Sequence, residues 1–306
     1  MNKARTSYHR KTGLSNASLF CSILLFFIFP LQVYSQQNSK TEDSIKNSNL
    51  NNNLVLIHGL TNRHPWSEDF LDRALSLWGS KHVFVVYTNS SETTYRKLIQ
   101  SKTIFYCGKD NSDAGDASIE KQVELLHRKI QILQTNKILG KKFYIIAHSM
   151  GGLVARRYIY KYPNVVKGLV TLGTPHHGSP LADNFEWAGF FLGATDAINN
   201  LRPSFVQSFN DRFPIKTSPL ADNGKIYTIR GDCDGYDCFG WAGELLFGWA
   251  LIKLSTGSDS DGLVPFDSAV IEYANHIGDF PEFSHIDLVE EPSVVEKASE
   301  YLLNTK

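Results

Sequence analysis

The stretch "IIAHSMGGLV" (residues 145–154) places one serine at the junction of two structural patterns. The residues before Ser149 form an apolar run typical of a buried strand, and the residues after it begin a helical pattern. A sharp strand-to-helix turn presents a serine hydroxyl clear of the sheet and requires small neighbours, because its backbone leaves little room. Ala147, Gly151 and Gly152 are small, although the usual G-x-S-x-G pattern has Gly at the position of Ala147. The stretch therefore predicts a nucleophilic serine.

The composition of the chain argues against one class of partner. The 306 residues include 31 Lys and Arg and 31 Asp and Glu, so the formal net charge is +0 at pH 7. Proteins that bind polyanions usually show a basic excess. We therefore expect no nucleic-acid partner, while a hydrophobic content of 42% is enough for a substantial core.

Residues 1–35 are typical of a secretory signal peptide. Basic residues precede an apolar run at residues 19–31, and Val33 and Ser35 supply small side chains before a cleavage point. The run is shorter than the span of about 20 apolar residues that crosses a membrane. We predict cleavage after Ser35, a secreted or periplasmic location and no stable membrane span; an uncleaved anchor is the alternative.

The rest of the chain divides into a leader and one domain. Residues 36–53 are polar and nearly free of large apolar side chains, which predicts a flexible leader. Residues 54–306 show no internal repeat and no long linker, and their length suits a single catalytic domain.

Strand-like runs alternate with helical patterns in this domain. The strand-like runs are residues 54–58, 82–88, 142–147, 166–173 and 225–231. Residues 67–78 form one amphipathic segment, and a helical stripe with Asp116 as its predicted cap comprises Ile119, Val123, Leu126, Ile130 and Leu133. This order predicts an α/β fold with a mostly parallel central sheet and helices on both faces. Active sites of such sheets lie at the carboxyl ends of the strands, where Ser149 stands.

Four motifs together resemble the α/β-hydrolase fold, and within it the secreted bacterial triacylglycerol lipases and related esterases. They are "LVLIHGL" (54–60), "AHSMGGLVARRY" (147–158), "LVTLGTPHHGSPLAD" (169–183) and "SDGLVPFDSA" (260–269). The resemblance covers nearly the whole of the predicted mature chain. It implies an exported serine hydrolase of carboxylic esters, either a lipase or a lipid esterase. Its substrate would be an ester or a lipid, which the enzyme could also reach at a lipid interface. The resemblance implies no required cofactor. The alternatives are an acyltransferase or a polar-substrate esterase or amidase with the same triad, and a non-catalytic secreted lipid-binding module.

A nucleophilic serine needs a histidine that takes its proton and a carboxylate that orients the histidine. Asp261, in "SDSDGLVP", resembles the acid of the family's triad, with Asp259 as the alternative. His285, in "PEFSHIDL", follows the acid, as the order Ser, acid, His requires, with His276 as the alternative. The sequence therefore predicts a triad of Ser149, Asp261 and His285.

The oxyanion of the reaction needs amide donors. The backbone amide of Met150 follows the nucleophile directly, and the amide of Leu60, after "HG", resembles the family's second donor. His58 is then expected to shape its loop, and His176 and His177 to form part of the wall of the site.

Export also bears on the cysteines. Cys233 and Cys238, in "CDGYDC", lie within disulfide reach in an oxidising compartment, so we predict a bond between them. The alternative is a metal loop built from Asp232, Asp234 and Asp237. Some secreted bacterial lipases carry a calcium-ligating aspartate where Asp287 stands. The resemblance therefore implies a calcium site there, against the alternative of a helix cap.

Two aromatic segments are candidates for a cap over the site. They are the inserts around residues 180–213 and 233–257, which carry more aromatic and aliphatic surface than connecting loops need. Core packing would also explain either segment. Their predicted place near the carboxyl edge of the sheet favours a helical, lid-like cap that accepts acyl chains.

Overall fold

One sheet organises the part of the chain that the computed structural model describes, residues 52–184, 193–235, 238 and 244–304. In those residues the strands are β1 (Leu54–Ile57), β2 (Val83–Val86), β3 (Thr94–Ile99), β4 (Lys102–Cys107), β5 (Phe143–His148), β6 (Val166–Leu172), β7 (Ile226–Asp232) and β8 (Asn275–Pro281). The predicted signal peptide lies outside the described residues, as does nearly all of the predicted leader.

The strands are ordered β3-β4-β2-β1-β5-β6-β7-β8. Neighbouring strands run parallel except β3 and β4, which are antiparallel. The prediction of a mostly parallel sheet is confirmed. The patterns did not predict β3, β4 or β8, and the two outermost strands, β3 and β8, are largely polar and half-exposed, so they lack the apolar run of a buried strand.

Helices cover both faces of this sheet. They are α1 (Glu68–Trp78), α2 (Ile119–Thr135), α3 (Met150–Lys161), α4 (Thr195–Asn199), α5 (Pro203–Arg212), α6 (Glu244–Thr256), α7 (Asp287–Glu290) and α8 (Pro292–Asn304). Val55 and Ile57 of β1 pack in one cluster with α2 and α3, whereas Leu54 and Leu56 pack in another with α1 and α8. Successive side chains of a strand point to opposite faces, so β1 serves both layers and the prediction of helices on both faces is confirmed.

The predicted cap of α2 is wrong. Ser118, not Asp116, precedes the helix, and its hydroxyl accepts a hydrogen bond from the amide of Lys121 at 3.4 Å. A serine directly before the first helical residue can reach the unpaired amides of the first turn, and Asp116 stands two residues too early.

The ordered domain begins before the predicted end of the leader. Asn53 is buried, its carbonyl accepts from the amide of Tyr144, and its side chain accepts from the amide of Gly140 at 2.9 Å. These contacts tie Asn53 to the amino ends of the central strands β1 and β5, which the polar composition of residues 36–53 did not reveal.

The two predicted inserts contain helices in their described parts. The first holds a short 3₁₀ helix (Pro180–Asp183), α4 and α5, and Leu181, Ile198 and Val206 are buried in the main core. The second holds α6, and residues 185–192, 236–237 and 239–243 of the inserts lie outside the described residues. No described helix combines the length and apolar character that crossing a membrane requires.

His58 at the end of β1 is held in its neutral form. Its Nδ1 donates to the carbonyl of Gly59 at 2.7 Å, and its Nε2 accepts from the amide of Thr88 at 3.0 Å. Burial lowers the pKa of His58 to about 4. A proton on Nε2 would break the bond from Thr88, so the fold requires the neutral imidazole.

The free energy of unfolding should therefore fall as the pH drops from about 6.5 towards 4. The unfolded chain binds a proton on His58 in that window and the native chain does not, which costs about 2 kcal/mol between pH 7 and pH 5. Urea denaturation at both pH values measures the loss. The loss should be smaller in His58→Gln than in the wild type, and an equal loss in both proteins would contradict the assignment.

Candidate active site

Ser149 lies on the turn between β5 and α3 in a strained backbone conformation. Its φ is 53° and its ψ is −131°, a region that residues with a side chain rarely adopt. The amide of Ser149 donates to the carbonyl of Leu172 at 2.8 Å, and its own carbonyl accepts from the Thr174 hydroxyl at 2.8 Å. The end of β6 therefore holds the turn in place.

The glycines around this turn permit close backbone approach. A Cβ on Gly151 would overlap the carbonyl oxygen of His58, and one on Gly152 would overlap the side chain of Thr174. A Cβ on Gly59 would lie 2.8 Å from the Cβ of Ser149. The loops after β1 and β6 thus lie in close contact with the start of α3, and they leave no room for a side chain at Gly151 or Gly152.

Asp261 and His285 form a buried hydrogen-bonded pair. The Nδ1 of His285 lies 2.7 Å from the Oδ2 of Asp261, and the two side chains are 4% and 1% exposed. The other oxygen of Asp261 accepts from the amides of Leu263 and Val264 at 3.0 and 2.8 Å. These bonds fix the carboxylate, and the carboxylate directs the proton of His285 to Nδ1, so that Nε2 remains available as a base.

The two alternative residues have other partners. Asp259 is exposed and its carboxylate lies 2.5 Å from the ammonium of Lys253. His276, on the edge strand β8, bonds Asp279 at 2.8 Å and Thr228 at 3.0 Å. The structure therefore brings Asp261 to His285, and the side-chain hydrogen bonds of Asp259 and His276 go to other residues.

Ser149 and His285 line one cavity at the carboxyl edge of the sheet. Its apolar wall consists of Leu60, Pro175, Leu201, Leu263 and Val264. Its other lining residues are Arg63, His64, Ser179 and Glu244. The predicted serine and histidine thus share a pocket whose wall is apolar on one part and charged on another.

The two predicted amide donors begin helical turns beside Ser149. Met150 is the first residue of α3, and Leu60 is the first residue of a 3₁₀ helix (Leu60–Asn62). The first amides of a helix lack acceptors within that helix. Thr61 and Asn62 have positive φ angles of 51° and 43°, so the loop that carries Leu60 is held in a strained form, as is common where a backbone group must be placed precisely for function.

His148 is a site residue that the sequence reasoning did not identify. Its Nε2 donates to the carbonyl of His285 at 3.0 Å, and the centroids of the two rings lie 4.4 Å apart. Burial, reinforced by the neighbouring His285, lowers the pKa of His148 well below the usual value, so the ring is neutral. His148 therefore fixes the His285 loop without adding a charge, and its position next to Ser149 was the available signal.

A charged pair in the cavity wall was also missed. The guanidinium of Arg63 lies 2.9 Å from the carboxylate of Glu244. Burial raises the pKa of Glu244, and Arg63 opposes that shift. Burial, then His285 and Arg63, lowers the pKa of nearby His64 to about 4. No local motif links the loop after Leu60 to the start of α6, so the sequence offered no signal for this pair.

His176, expected from the sequence in the wall of the site together with His177, is not among the residues that line the cavity of Ser149. It is fully buried, its Nδ1 accepts from Arg156 at 3.2 Å, and its carbonyl accepts from Asn210 of α5 at 2.7 Å. Burial and the nearby Arg156 lower the pKa of His176 well below its usual value. His176 thus joins α3 to the first insert, and the amide of His177 donates to Ser268 at 3.1 Å.

Cys233 and Cys238 are joined by a disulfide, with their Cα atoms 5.6 Å apart.

Asp287 makes a cap-like contact at the start of α7: its carboxylate accepts from the amide of Ser284 at 2.6 Å. Within the described ranges, no three or more His, Cys, Asp or Glu side chains are grouped so that they could hold a metal ion. The Asp287 geometry thus fits the helix-cap alternative.

Comparison with known families identifies the fold. Residues 52–204 match a family model described as the alpha/beta hydrolase fold. Among solved structures, the mature Bacillus licheniformis lipase BlEst2 aligns with a TM-score of 0.60 and 21% identity, over 83% of this chain and 92% of that one. A metagenomic carboxyl esterase aligns with a TM-score of 0.56 and 14% identity, over 83% and 76% of the two chains. At these identities the likeness shows the fold alone.

Two curated relatives share part of the sequence. The chain is 26% identical over 226 residues to Triacylglycerol lipase 2 of Saccharomyces cerevisiae, covering 66% of this chain and 64% of the relative. It is 22% identical over 142 residues to the probable lysophospholipase BODYGUARD 2 of Arabidopsis thaliana, covering 46% and 26%. The chain thus spans less than two thirds of the length of either relative.

Gly151→Ala should destabilise the protein although alanine favours helices. Helix propensity alone would stabilise the variant by about 1 kcal/mol, but the new methyl group would meet the backbone carbonyls of Ile57 and His58, so we expect a net loss of about 2 kcal/mol or more. Urea denaturation measures the loss. Gly278→Ala is the matched control, because its Cβ would meet a movable Phe280 ring at 3.2 Å; equal stability of both variants would contradict the close packing.

Proposed function

The chain belongs to the α/β-hydrolase fold family, and on that basis we propose that it is an exported serine hydrolase of carboxylic esters, a lipase or lipid esterase. The observation that carries the proposal is the buried pair of His285 and Asp261, whose histidine lines the same cavity as Ser149. A histidine oriented by a carboxylate beside a serine on a strained turn is the arrangement that activates a serine nucleophile.

In the proposed reaction Ser149 attacks the ester carbonyl carbon while its proton passes to Nε2 of His285. Asp261 stabilises the imidazolium that forms, and the amides of Leu60 and Met150 donate to the oxyanion. The bond between the carbonyl carbon and the alcohol oxygen then breaks, and His285 returns the proton to the departing alcohol. Water repeats the sequence on the acyl-enzyme, which releases the carboxylic acid and restores Ser149.

The cavity wall supports an acyl substrate. Leu201 comes from the first insert, and Leu263 and Val264 come from the loop that carries Asp261, so apolar side chains stand beside the nucleophile. Apolar surface of this kind stabilises a buried hydrocarbon chain by about 25 cal/mol per Å². The names of the two curated relatives, a triacylglycerol lipase and a probable lysophospholipase, agree with a lipid ester as substrate.

Export is supported by two independent features. The signal-peptide pattern of residues 1–35 directs a chain out of the cytoplasm. The disulfide between Cys233 and Cys238 is of a kind that persists in oxidising compartments. Mass spectrometry of the mature N-terminus and of disulfide-linked peptides tests both features.

Ser149→Ala and His285→Ala should each lower kcat/KM for a p-nitrophenyl ester by about three orders of magnitude or more. The double variant should lose little beyond that, because the members of a triad act as a unit. Labelling by a fluorophosphonate should disappear in Ser149→Ala. Asp261→Asn should also lower turnover strongly, since its carboxylate orients His285.

His276→Ala serves as the control for these variants. It removes a histidine that is bonded to Asp279 on the edge strand, so turnover should stay near that of the wild type. Near-normal turnover in folded His285→Ala would overturn the assignment. Product analysis with a competing alcohol separates release of the acid, which we expect, from acyl transfer.

A further inference from the structure

The Arg63–Glu244 pair places two opposite charges beside the nucleophile. Arg63 ends the turn that begins at Leu60, and Glu244 is the first residue of α6, so the pair links the loop of the proposed oxyanion donor to the second insert. Both residues line the cavity of Ser149 and His285. The Glu244 side chain is 13% exposed and that of Arg63 is 44% exposed.

This placement is costly for a pocket that takes only hydrocarbon. Burying the carboxylate of Glu244 carries a desolvation penalty that its attraction to the partly exposed Arg63 often does not repay, and apolar residues in place of the pair would also favour an acyl chain. Glu244 also lies close enough to His285 for the two groups to interact electrostatically. The charges are therefore part of the surface that a substrate meets.

We propose that Arg63 and Glu244 bind the alcohol part of a zwitterionic ester: the guanidinium takes a phosphodiester group and the carboxylate takes an ammonium group. This inference rests on the proposed function and deepens it. The substrate class is an acyl ester of glycerol that carries a zwitterionic phosphodiester head group. Its acyl chain lies against the apolar wall, and the chemical step is the hydrolysis already described.

The charge balance of the cavity favours a zwitterion over other head groups. Arg63 and Glu244 together carry no net charge, and His64, whose pKa burial lowers to about 4, adds none at neutral pH. An anionic head group would satisfy Arg63 and leave Glu244 without its partner, and a cationic one would do the reverse. A neutral head group gains nothing from either charge.

Exchange of partners is energetically accessible. An ion pair with a partly exposed member contributes little to stability, so opening it costs little. The planar guanidinium can donate two parallel hydrogen bonds to phosphate oxygens, and a carboxylate attracts an ammonium group by charge. The zwitterion replaces the Arg63–Glu244 contact with two contacts, one from Arg63 to the phosphodiester and one from Glu244 to the ammonium group. This gives it an advantage over anionic and neutral head groups.

The test compares esters that share one short acyl chain and are used below the concentration at which they aggregate. The substrates are a monoacylglycerol, a lysophosphatidic acid, a lysophosphatidylcholine and a p-nitrophenyl ester. We expect kcat/KM for the zwitterionic lipid to exceed that for the neutral and anionic lipids by about tenfold or more, because only the zwitterion satisfies both charges. Arg63→Gln and Glu244→Gln should each lower this ratio several-fold.

Two further variants separate recognition from a structural role. The exchange Arg63→Glu with Glu244→Arg restores the ion pair but reverses its charges, so recognition predicts a lowered ratio and a purely structural pair predicts an unchanged one. Lys253→Gln is the matched control, because it removes a charge of α6 that pairs with Asp259 outside the cavity. Its ratio should equal that of the wild type.

The outcomes are distinguishable. Hydrolysis of the p-nitrophenyl ester without a preference among the lipids would overturn this inference and leave the proposed function intact. A preference for the anionic or the neutral lipid, or a ratio that the exchanged pair retains, would overturn it as well. Failure to hydrolyse any of the esters would count against the proposed function itself.

Discussion

The strained turn at Ser149 is the constraint on which the rest of the site depends. A residue with a side chain held at a φ of 53° is stable only where the surrounding structure fixes it. The end of β6 does so through Leu172 and Thr174, and the loop after β1 closes against the turn at Gly59. Because β1, β5 and β6 are parallel neighbours, their carboxyl ends meet at one edge and these contacts become possible.

The remaining groups reach this edge from distant parts of the chain. Asp261 follows β7 and the second insert, and His285 follows β8. Their loops are joined twice, by the bond between the two side chains and by a bond from the amide of His285 to the carbonyl of Asp261 at 2.7 Å. His148 adds a third restraint from the end of β5. The orientation of His285 is therefore fixed by backbone and side-chain contacts together, which limits the reorganisation that proton transfer would require.

Several histidines near this edge are kept neutral by burial. His58, His148 and His176 are each enclosed, and His58 and His176 also accept a hydrogen bond, which requires an unprotonated ring nitrogen. They position loops without placing extra positive charge beside His285. The cost of this arrangement is acid sensitivity of the fold, because an unfolded chain binds the protons that the native chain excludes.

Local patterns were enough to predict the α/β architecture, because buried parallel strands and amphipathic helices have distinct periodicities. The motif around Ser149 predicted its turn for a similar reason, since small residues at fixed spacing mark a crowded backbone. The edge strands β3 and β8 escaped prediction because a half-exposed strand has no continuous apolar run.

The choice between Asp259 and Asp261 and the pairing of Arg63 with Glu244 depended on the folded chain. Two aspartates two residues apart have the same chemistry, and only the path of the loop directs one of them to His285 and the other to Lys253. Arg63 and Glu244 meet because the loop after β1 and the start of α6 lie over the same end of the sheet. Contacts between segments remote in sequence leave no local periodicity, so the tertiary structure alone establishes them.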